Sequence, residues 1–403
     1  MNNATPVFLA FLLVLSLPMM ATVGATPSVE TSGQSETALQ GKQFLQTAPV
    51  EVENSTNRLQ LDGDVSSGYT EYTPNIGMVF AIADDELRID HDQYTIVDRK
   101  FATASREERI AMINRAYKRI QQREDELERR EREAVERHEA SERSSRELLQ
   151  ALLRNHNEAA ILSDSLDDLK ERASQVPSYS LRQTRSNHKK LDYHQTPLRA
   201  NLEQLSMTPV SSTPRDVVVS TSQTGYQIEI MDGTQYIVET TRFDNRDQTA
   251  PDQFGDGEAY DHARGLYPWA GDRPYFQDNS PDHYWTEMSH EQGRLEFYFD
   301  SGTGDVYREI QELDASLMPS TEGESWLSSG VTMSVNRTSM GGPIEVTVTD
   351  TAASEPMNST ITVDGVEIGE TGDDGKLWVI SPVGTHELTA KTENGTVTGR
   401  ITR

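Results

Sequence analysis

From Ser105 to Val176 the chain contains neither glycine nor proline, and a breaker-free run of that length commits the segment to helix. Ser105-Arg106-Glu107-Glu108 supplies its start, because the serine oxygen can accept the amide three residues on while the glutamate reaches back to the serine amide. Ile113, Ile120, Leu127, Ala134, Ser141 and Leu148 then recur every seven residues, whereas the adjoining line through Arg123, Glu131 and His138 is charged. One apolar line is too little for a long coiled coil, so tertiary contact must supply the rest. Between residues 121 and 146 Glu and Arg alternate at i to i+4 spacing, which predicts a largely solvated helix. A turn is expected at 154–157, after which Ala159, Ala160, Leu162, Leu166 and Leu169 form the stripe of a second helix folded back. Residues 105–206 thus read as a helical hairpin of coiled-coil-like character. Pro177 ends its second arm, and one or two further helices broken at Pro197 follow.

The 403 residues carry a net charge of −28, and only eight of the 37 basic residues are Lys. Such a chain repels itself at low ionic strength and needs concentrated salt for a compact state. An acidic balance with scarce lysine is the habit of extreme halophiles, and it argues against general nucleic-acid binding. Arg182, Arg185, Lys189, Lys190 and Arg199 stand out. They invite two readings, a bound polyanion or partners for the protein's own acidic groups, of which the second is favoured. The absence of cysteine removes disulfides, Cys-ligated metals and thiol chemistry together.

Residues 7–17 (VFLAFLLVLSL) form an apolar run, and Val23-Gly24-Ala25 offers a small-residue cleavage pattern. Residues 1–25 therefore read as a Sec-type signal peptide, with an uncleaved anchor as the alternative. Nothing later is apolar enough to span a membrane, so an extracellular or cell-envelope location is expected. Sequons at Asn54, Asn336, Asn358 and Asn394 are candidate glycosylation sites. Residues 26–68, rich in Ser, Thr, Gln and Glu, read as a disordered leader. Residues 69–104 read as a lead-in with one short strand at 78–82 (MVFAI).

Beyond Asp216 the period changes to two. Tyr226, Ile228 and Ile230, a turn at Asp232-Gly233, then Tyr236 and Val238 predict one hairpin; Leu295, Phe297 and Phe299, a turn at 300–305, then Val306 predict another. With a short helix at 258–266 between them, residues 216–317 make a small α+β domain. From 326 to 403 the pattern is strand after strand: 331–335, 344–348, 359–363, 377–380, 387–390 and 396–401. The fold class is multidomain: a long charged helical hairpin, an α+β domain with two hairpins, and a C-terminal all-β sandwich.

The run Thr362-Val363-Asp364-Gly365-Val366, with Asp374-Gly375-Lys376-Leu377-Trp378 and Pro382-Val383-Gly384-Thr385, is similar to carboxypeptidase-regulatory or transthyretin-like modules. That resemblance covers about the last fifth of the chain and implies an extracellular Ig-like sandwich without catalytic residues. The hairpin from Leu295 to Tyr307 resembles small exported PepSY-type domains. The whole arrangement resembles uncharacterised secreted envelope proteins of haloarchaea, which implies a structural or binding role.

For chemistry the sequence offers little. There is no Gly-x-Ser-x-Gly elbow, phosphate loop or dinucleotide fingerprint, so no catalytic residue and no cofactor is assigned. His283, Glu287 and His290 would share a face if helical, which makes them weak candidate metal ligands, but packed or solvated histidines are the favoured reading and no metal is assigned. Asp300, Asp305, Asp373 and Asp374 lack the EF-hand ligand order and read as turn residues. Ten aromatics lie between Tyr260 and Phe299. Most should be core, while Tyr267, Trp269, Tyr284 and Trp285 are the candidates for a glycan- or peptide-binding surface. Expected partners are envelope proteins or glycans, with self-association through the helices an open possibility. The functional expectation is a non-enzymatic envelope protein; the alternatives are a peptide- or glycan-binding module, or an enzyme sited in 216–317.

Overall fold

The computed structural model describes residues 59–72, 76–207, 215–271, 273–279 and 283–403. The signal peptide, most of the leader and the Asn54 sequon lie outside the described residues. Among the described residues no helix is long and apolar enough to cross a membrane.

A helical region comes first, preceded by one strand. After β1 (Ser66–Tyr72), α1 (Ile76–Gln93) leads through a π-helical turn into the short α2 (Arg99–Phe101), then α3 (Arg106–Glu139), α4 (Ser145–Ser174), α5 (Thr184–Asp192) and α6 (Pro197–Met207). The expected strand at 78–82 is instead part of α1. Its apolar residues continue at helical spacing, with Met78 and Ile89 buried and Ile82 packed on the core, a period that a five-residue window hides. The strand of this region lies earlier, where β1 and the buried Leu59 extend order into the segment read as leader.

Ser105 caps α3 with both arms of the expected box. The turn lies at 140–144 and not at 154–157, because Ser144 and Glu147 form a second capping box that starts α4. Asn155, His156 and Asn157 sit buried inside α4. Each has a partner that lets a polar group stay there: Asn155 donates to the Leu127 carbonyl at 2.8 Å, Asn157 to the Leu153 carbonyl at 2.9 Å, and His156 lies 3.1 Å from Glu203. Ile113, Ala116, Ile120 and Leu127 of α3 meet Ala159, Leu162, Leu166 and Leu169 of α4 in one core, closed by Leu191 of α5. Pro197 opens α6, where its missing amide costs nothing.

The chain then alternates through β2 (Arg215–Ser222), β3 (Gly225–Asp232) and β4 (Gln235–Arg242), crosses α7 (Glu258–Leu266), and continues as β5 (Tyr275–Asn279), β6 (His283–His290), β7 (Gly293–Asp300) and β8 (Val306–Asp314). These join β1 in an eight-stranded sheet of order β1-β2-β3-β4-β8-β7-β6-β5, antiparallel throughout. The turns after β3 and β7 fall where the alternation predicts them. Val217, Val219, Tyr226, Ile228 and Ile237 face the helices and pack on Leu148, Leu149, Leu152 and Leu198. The opposite face is covered in two places. Leu295, Phe297, Phe299 and Tyr284 pack with Ala259 and Ala263 of α7, and Val218, Tyr236 and Val238 meet Ile380 of the C-terminal region.

The C-terminal region is all β: β9 (Ser320–Ser328), β10 (Val331–Thr338), β11 (Ile344–Asp350), β12 (Thr360–Val363), β13 (Val366–Glu370), β14 (Lys376–Val379), β15 (Thr385–Lys391) and β16 (Thr396–Thr402). Two four-stranded sheets, β14-β11-β10-β9 and β13-β12-β15-β16, enclose Val331, Met333, Val346, Val348, Ile361, Leu388 and Val397. Periodicity gives no sign of strand β9, because its side chains are nearly all exposed and show no apolar alternation.

Candidate binding site

The charged line of α3 points inward. Glu131 is 1 % exposed, set between Arg199 of α6, whose Nη1 donates at 3.0 Å, and Arg308 of β8. Arg199 also reaches Glu239 of β4 at 2.9 Å. The Tyr226 hydroxyl lies 2.9 Å from Glu131 and 2.8 Å from Glu239, and His194 stands 3.1 Å from Glu131. Two arginines thus face two glutamates with no solvent access. Burial alone would push the Glu131 carboxyl upward, but Arg199 and Arg308 together hold it well below the usual carboxylate range. The Arg308 guanidinium also lies 3.5 Å over the Tyr193 ring. This cluster fixes the α5–α6 segment on the sheet, and of the five basic residues singled out in the sequence it absorbs Arg199. Lys189 pairs with Asp192 at 2.9 Å and Lys190 with Glu124 at 3.4 Å, while Arg182 and Arg185 are exposed.

The helices cover β1 to β4 and β8 but stop short of the β5 edge. Where they stop, Lys189, Asp192 and Gln195 from the α5–α6 segment and Gln277, Trp285 and Glu296 from β5, β6 and β7 line a concavity of about 340 Å³. The register puts these sheet residues on one face, with Gln277 opposite Trp285 and Trp285 opposite Tyr298. The Trp285 indole donates to Glu296 at 2.8 Å and the Tyr298 hydroxyl donates to the same oxygen at 3.1 Å. Burial raises the Glu296 carboxyl, and these two hydrogen bonds only partly offset it. Tyr275, 63 % exposed, stands edge-on to Trp285 with ring centroids 5.6 Å apart. The result is a pocket with Trp285 and Tyr298 on one wall and amide, ammonium and carboxylate groups on the others, with exposed Tyr275 standing beside it against Trp285.

Of the four aromatics singled out in the sequence, Trp285 alone reaches this pocket. Tyr267 and Tyr284 are buried on the opposite face, where Tyr267 donates to Glu309 and Tyr284 donates to Asp252 at 2.8 Å. Trp269 is half-buried there too, its ring 4.7 Å from that of His290. Tyr275 is the aromatic that periodicity passed over. Its signal was position on a strand that ends up at the sheet edge, which local sequence does not carry.

The helical geometry considered for His283, Glu287 and His290 is overturned, because all three lie on strand β6. The odd offset sends His290 to the face opposite His283. Glu287 is engaged by Arg294 at 3.0 Å, and burial lowers the His290 imidazole to about 4. Among the described residues no three metal-ligating side chains converge. Asp300 accepts the Gly302 and Thr303 amides at 2.9 and 2.8 Å, which is turn formation as expected.

Three families divide the chain. Residues 1–208 match a Domain of unknown function (DUF7096), 217–319 a Family of unknown function (DUF7094), and 322–399 an Archaeal fibronectin-III type-like domain. The chain belongs to the DUF7096 family. The third match gives the C-terminal region an Ig-like β fold of archaeal type, in agreement with its two packed sheets; the narrower carboxypeptidase-regulatory or transthyretin-like resemblance is not the one that matches. No curated protein matches the chain. Domains of this kind are compatible with a structural or binding module.

Proposed function

We propose that this DUF7096 protein is an exported, non-enzymatic component of the envelope of a salt-dependent archaeon, and that it recognises a neutral or weakly charged glycan in the Trp285 concavity. Export is supported by the apolar run and cleavage pattern at the N-terminus, and halophily by the charge of −28 with eight lysines. The sandwich then serves as a spacer. The observation that carries recognition is the pairing of exposed Tyr275 and half-buried Trp285 with Gln277, Asn279 and Glu296. Aromatic faces pack on the apolar C–H face of a sugar ring while amides and a carboxylate bind its hydroxyls.

The test is retention on immobilised glycans released from salt-grown archaeal envelopes, in molar salt. The parent protein is expected to be retained, and Trp285→Ala to bind about tenfold more weakly, the loss of one good aromatic contact. Equal retention of both proteins removes the site. A second reading rests on Glu287 and Glu296, directly opposed across β6 and β7. Arg294 pairs with the first, and burial raises the second. Paired carboxylates in unlike environments suit acid–base cleavage of a glycosidic bond. Release of reducing ends by the parent and its abolition in Glu296→Gln would favour that reading over simple recognition.

A further inference from the structure

Three of the four sequons fall on described residues of the C-terminal sandwich, and their surroundings differ. Asn336 lies on β10, a strand hydrogen-bonded to β9 on one side and β11 on the other. Its amide donates to Glu345 at 3.1 Å, and the hydroxyl of its sequon partner Thr338 is buried and donates to the Pro343 carbonyl at 2.7 Å. Both groups that a glycosyl transferase must engage are already occupied. Asn358 and Asn394 are exposed. Asn358 lies just before β12, and Asn394 sits in the turn between β15 and β16, where Thr392 donates its amide to the Gly395 carbonyl at 2.9 Å. Thr396, which completes the Asn394 sequon, is itself exposed.

The register brings these two asparagines together. Thr360 pairs with Lys391, so the residues just before β12 and just after β15 emerge at the same end of neighbouring strands. Asn358 and Asn394 accordingly line one surface depression of about 680 Å³. The other end of these strands is the one tied to the eight-stranded sheet: Arg403, following β16, donates to Glu229 of β3 at 2.8 and 2.9 Å. With seven residues in β16, the asparagine end stands about 20 Å from that anchor.

We infer that the free end of the sandwich is an N-glycosylated tip, with Asn358 and Asn394 as the acceptors and Asn336 left unmodified. The inference rests on the export reading, since the modification needs passage out of the cell. In the reaction the Asn Nδ2 bonds to the anomeric carbon of a phosphate-linked oligosaccharide donor. The anomeric carbon–oxygen bond breaks, and the amide proton leaves with the phosphate, with no change of oxidation state. An exposed turn can adopt the extended path an acceptor needs, whereas a central strand would first have to be peeled from both neighbours.

The experiment is glycopeptide and intact-mass analysis of the full protein recovered from inside and outside salt-grown cells of its native host, alongside Asn358→Gln, Asn394→Gln, Asn336→Gln and Thr396→Val. Protein outside the cell should carry glycan at Asn358 and Asn394. Asn358→Gln, Asn394→Gln and Thr396→Val should each lose the mass of one glycan, and Asn336→Gln none. Because the substituted positions are exposed or on the outer face, circular dichroism should stay unchanged, which separates loss of glycan from loss of fold. Exported protein with both tip asparagines bare, or with Asn336 occupied, overturns this inference alone. Protein found only inside the cell overturns the export reading along with it.

Discussion

Between helices and sheet, contact combines apolar packing of Leu148, Leu149, Leu152 and Leu198 on Val217, Val219 and Ile228 with Glu131, Arg199, Glu239, Arg308 and Tyr226, all fully or nearly fully buried. Inside the C-terminal sandwich the buried cluster is Val, Ile, Leu, Met and Ala, with Trp326 packed against it, and the buried polar side chains are the uncharged Thr338, Ser359, Thr371 and Ser381. Both are cores of the same chain in the same solvent, yet the first adds paired charge to its apolar packing and the second does not. Paired charge in a dry interior costs desolvation that geometry must offset, so it adds little net stability over an apolar replacement, but it penalises any wrong register heavily. Apolar packing stabilises directly and discriminates less. The difference suits the tasks proposed for them. On that proposal the helical layer must stop at a defined line so that Lys189, Asp192 and Gln195 face Trp285 and Glu296, whereas the sandwich as a spacer needs only to stay folded.

The largest effect that would sharpen this comparison is expected from Glu131→Ala, which strands Arg199 and Arg308 without their shared carboxylate. A loss of about 3–5 kcal/mol in chemical denaturation at fixed high salt is expected. A loss under about 1 kcal/mol would show that the network is not what fixes the layer. In the sandwich, Leu388→Ala should cost about 3 kcal/mol through a cavity. It should leave glycan retention at Trp285 unchanged; loss of retention would mean that the two regions are coupled and the contrast is false.

The smallest effect is pH. Burial lowers His138, His156 and His194 below the ordinary 6.5, and all three belong to the helical layer or the segment that seats it. The unfolded chain then binds more protons than the folded one below about pH 6.5, so stability is complete above that value and falls as pH drops through the depressed folded values. Glu131 and Glu239, despite burial, are lowered from 4.5 by Arg199 and Arg308 and extend the same decline further into acid. Among the described residues of the sandwich the buried polar side chains are Thr338, Ser359, Thr371 and Ser381, none of which titrates in this range. Denaturation curves at about pH 7.5 and pH 5, with salt constant, should therefore differ for the helical signal, and a flat profile there would break the comparison.

Much of the fold was legible because it is locally encoded. The Ser105 capping box, the Leu162, Leu166 and Leu169 stripe, the Asp232-Gly233 turn and the strand alternation of the sandwich each need only a few neighbouring residues to be read. The misplaced elements show the limit of that reading. A five-residue apolar run at 78–82 fits strand or helix, and only the burial of Met78 and Ile89 along one face settles it. Asn155, His156 and Asn157 look like a turn until Leu127 and Glu203 arrive as partners from elsewhere in the chain.

The candidate site was barely legible for the same reason. Composition by itself determined that the chain is strongly acidic and poor in lysine, and period determined the type of most of its helices and strands. Tertiary structure alone decided that Glu131 faces inward beside two arginines, that Trp285 and Trp269 lie on opposite faces of one sheet, and that Asn358 and Asn394 share one tip. Each of those facts depends on residues tens to hundreds of positions apart being brought within a few ångströms, and neither charge nor periodicity along the chain encodes which distant partner will arrive.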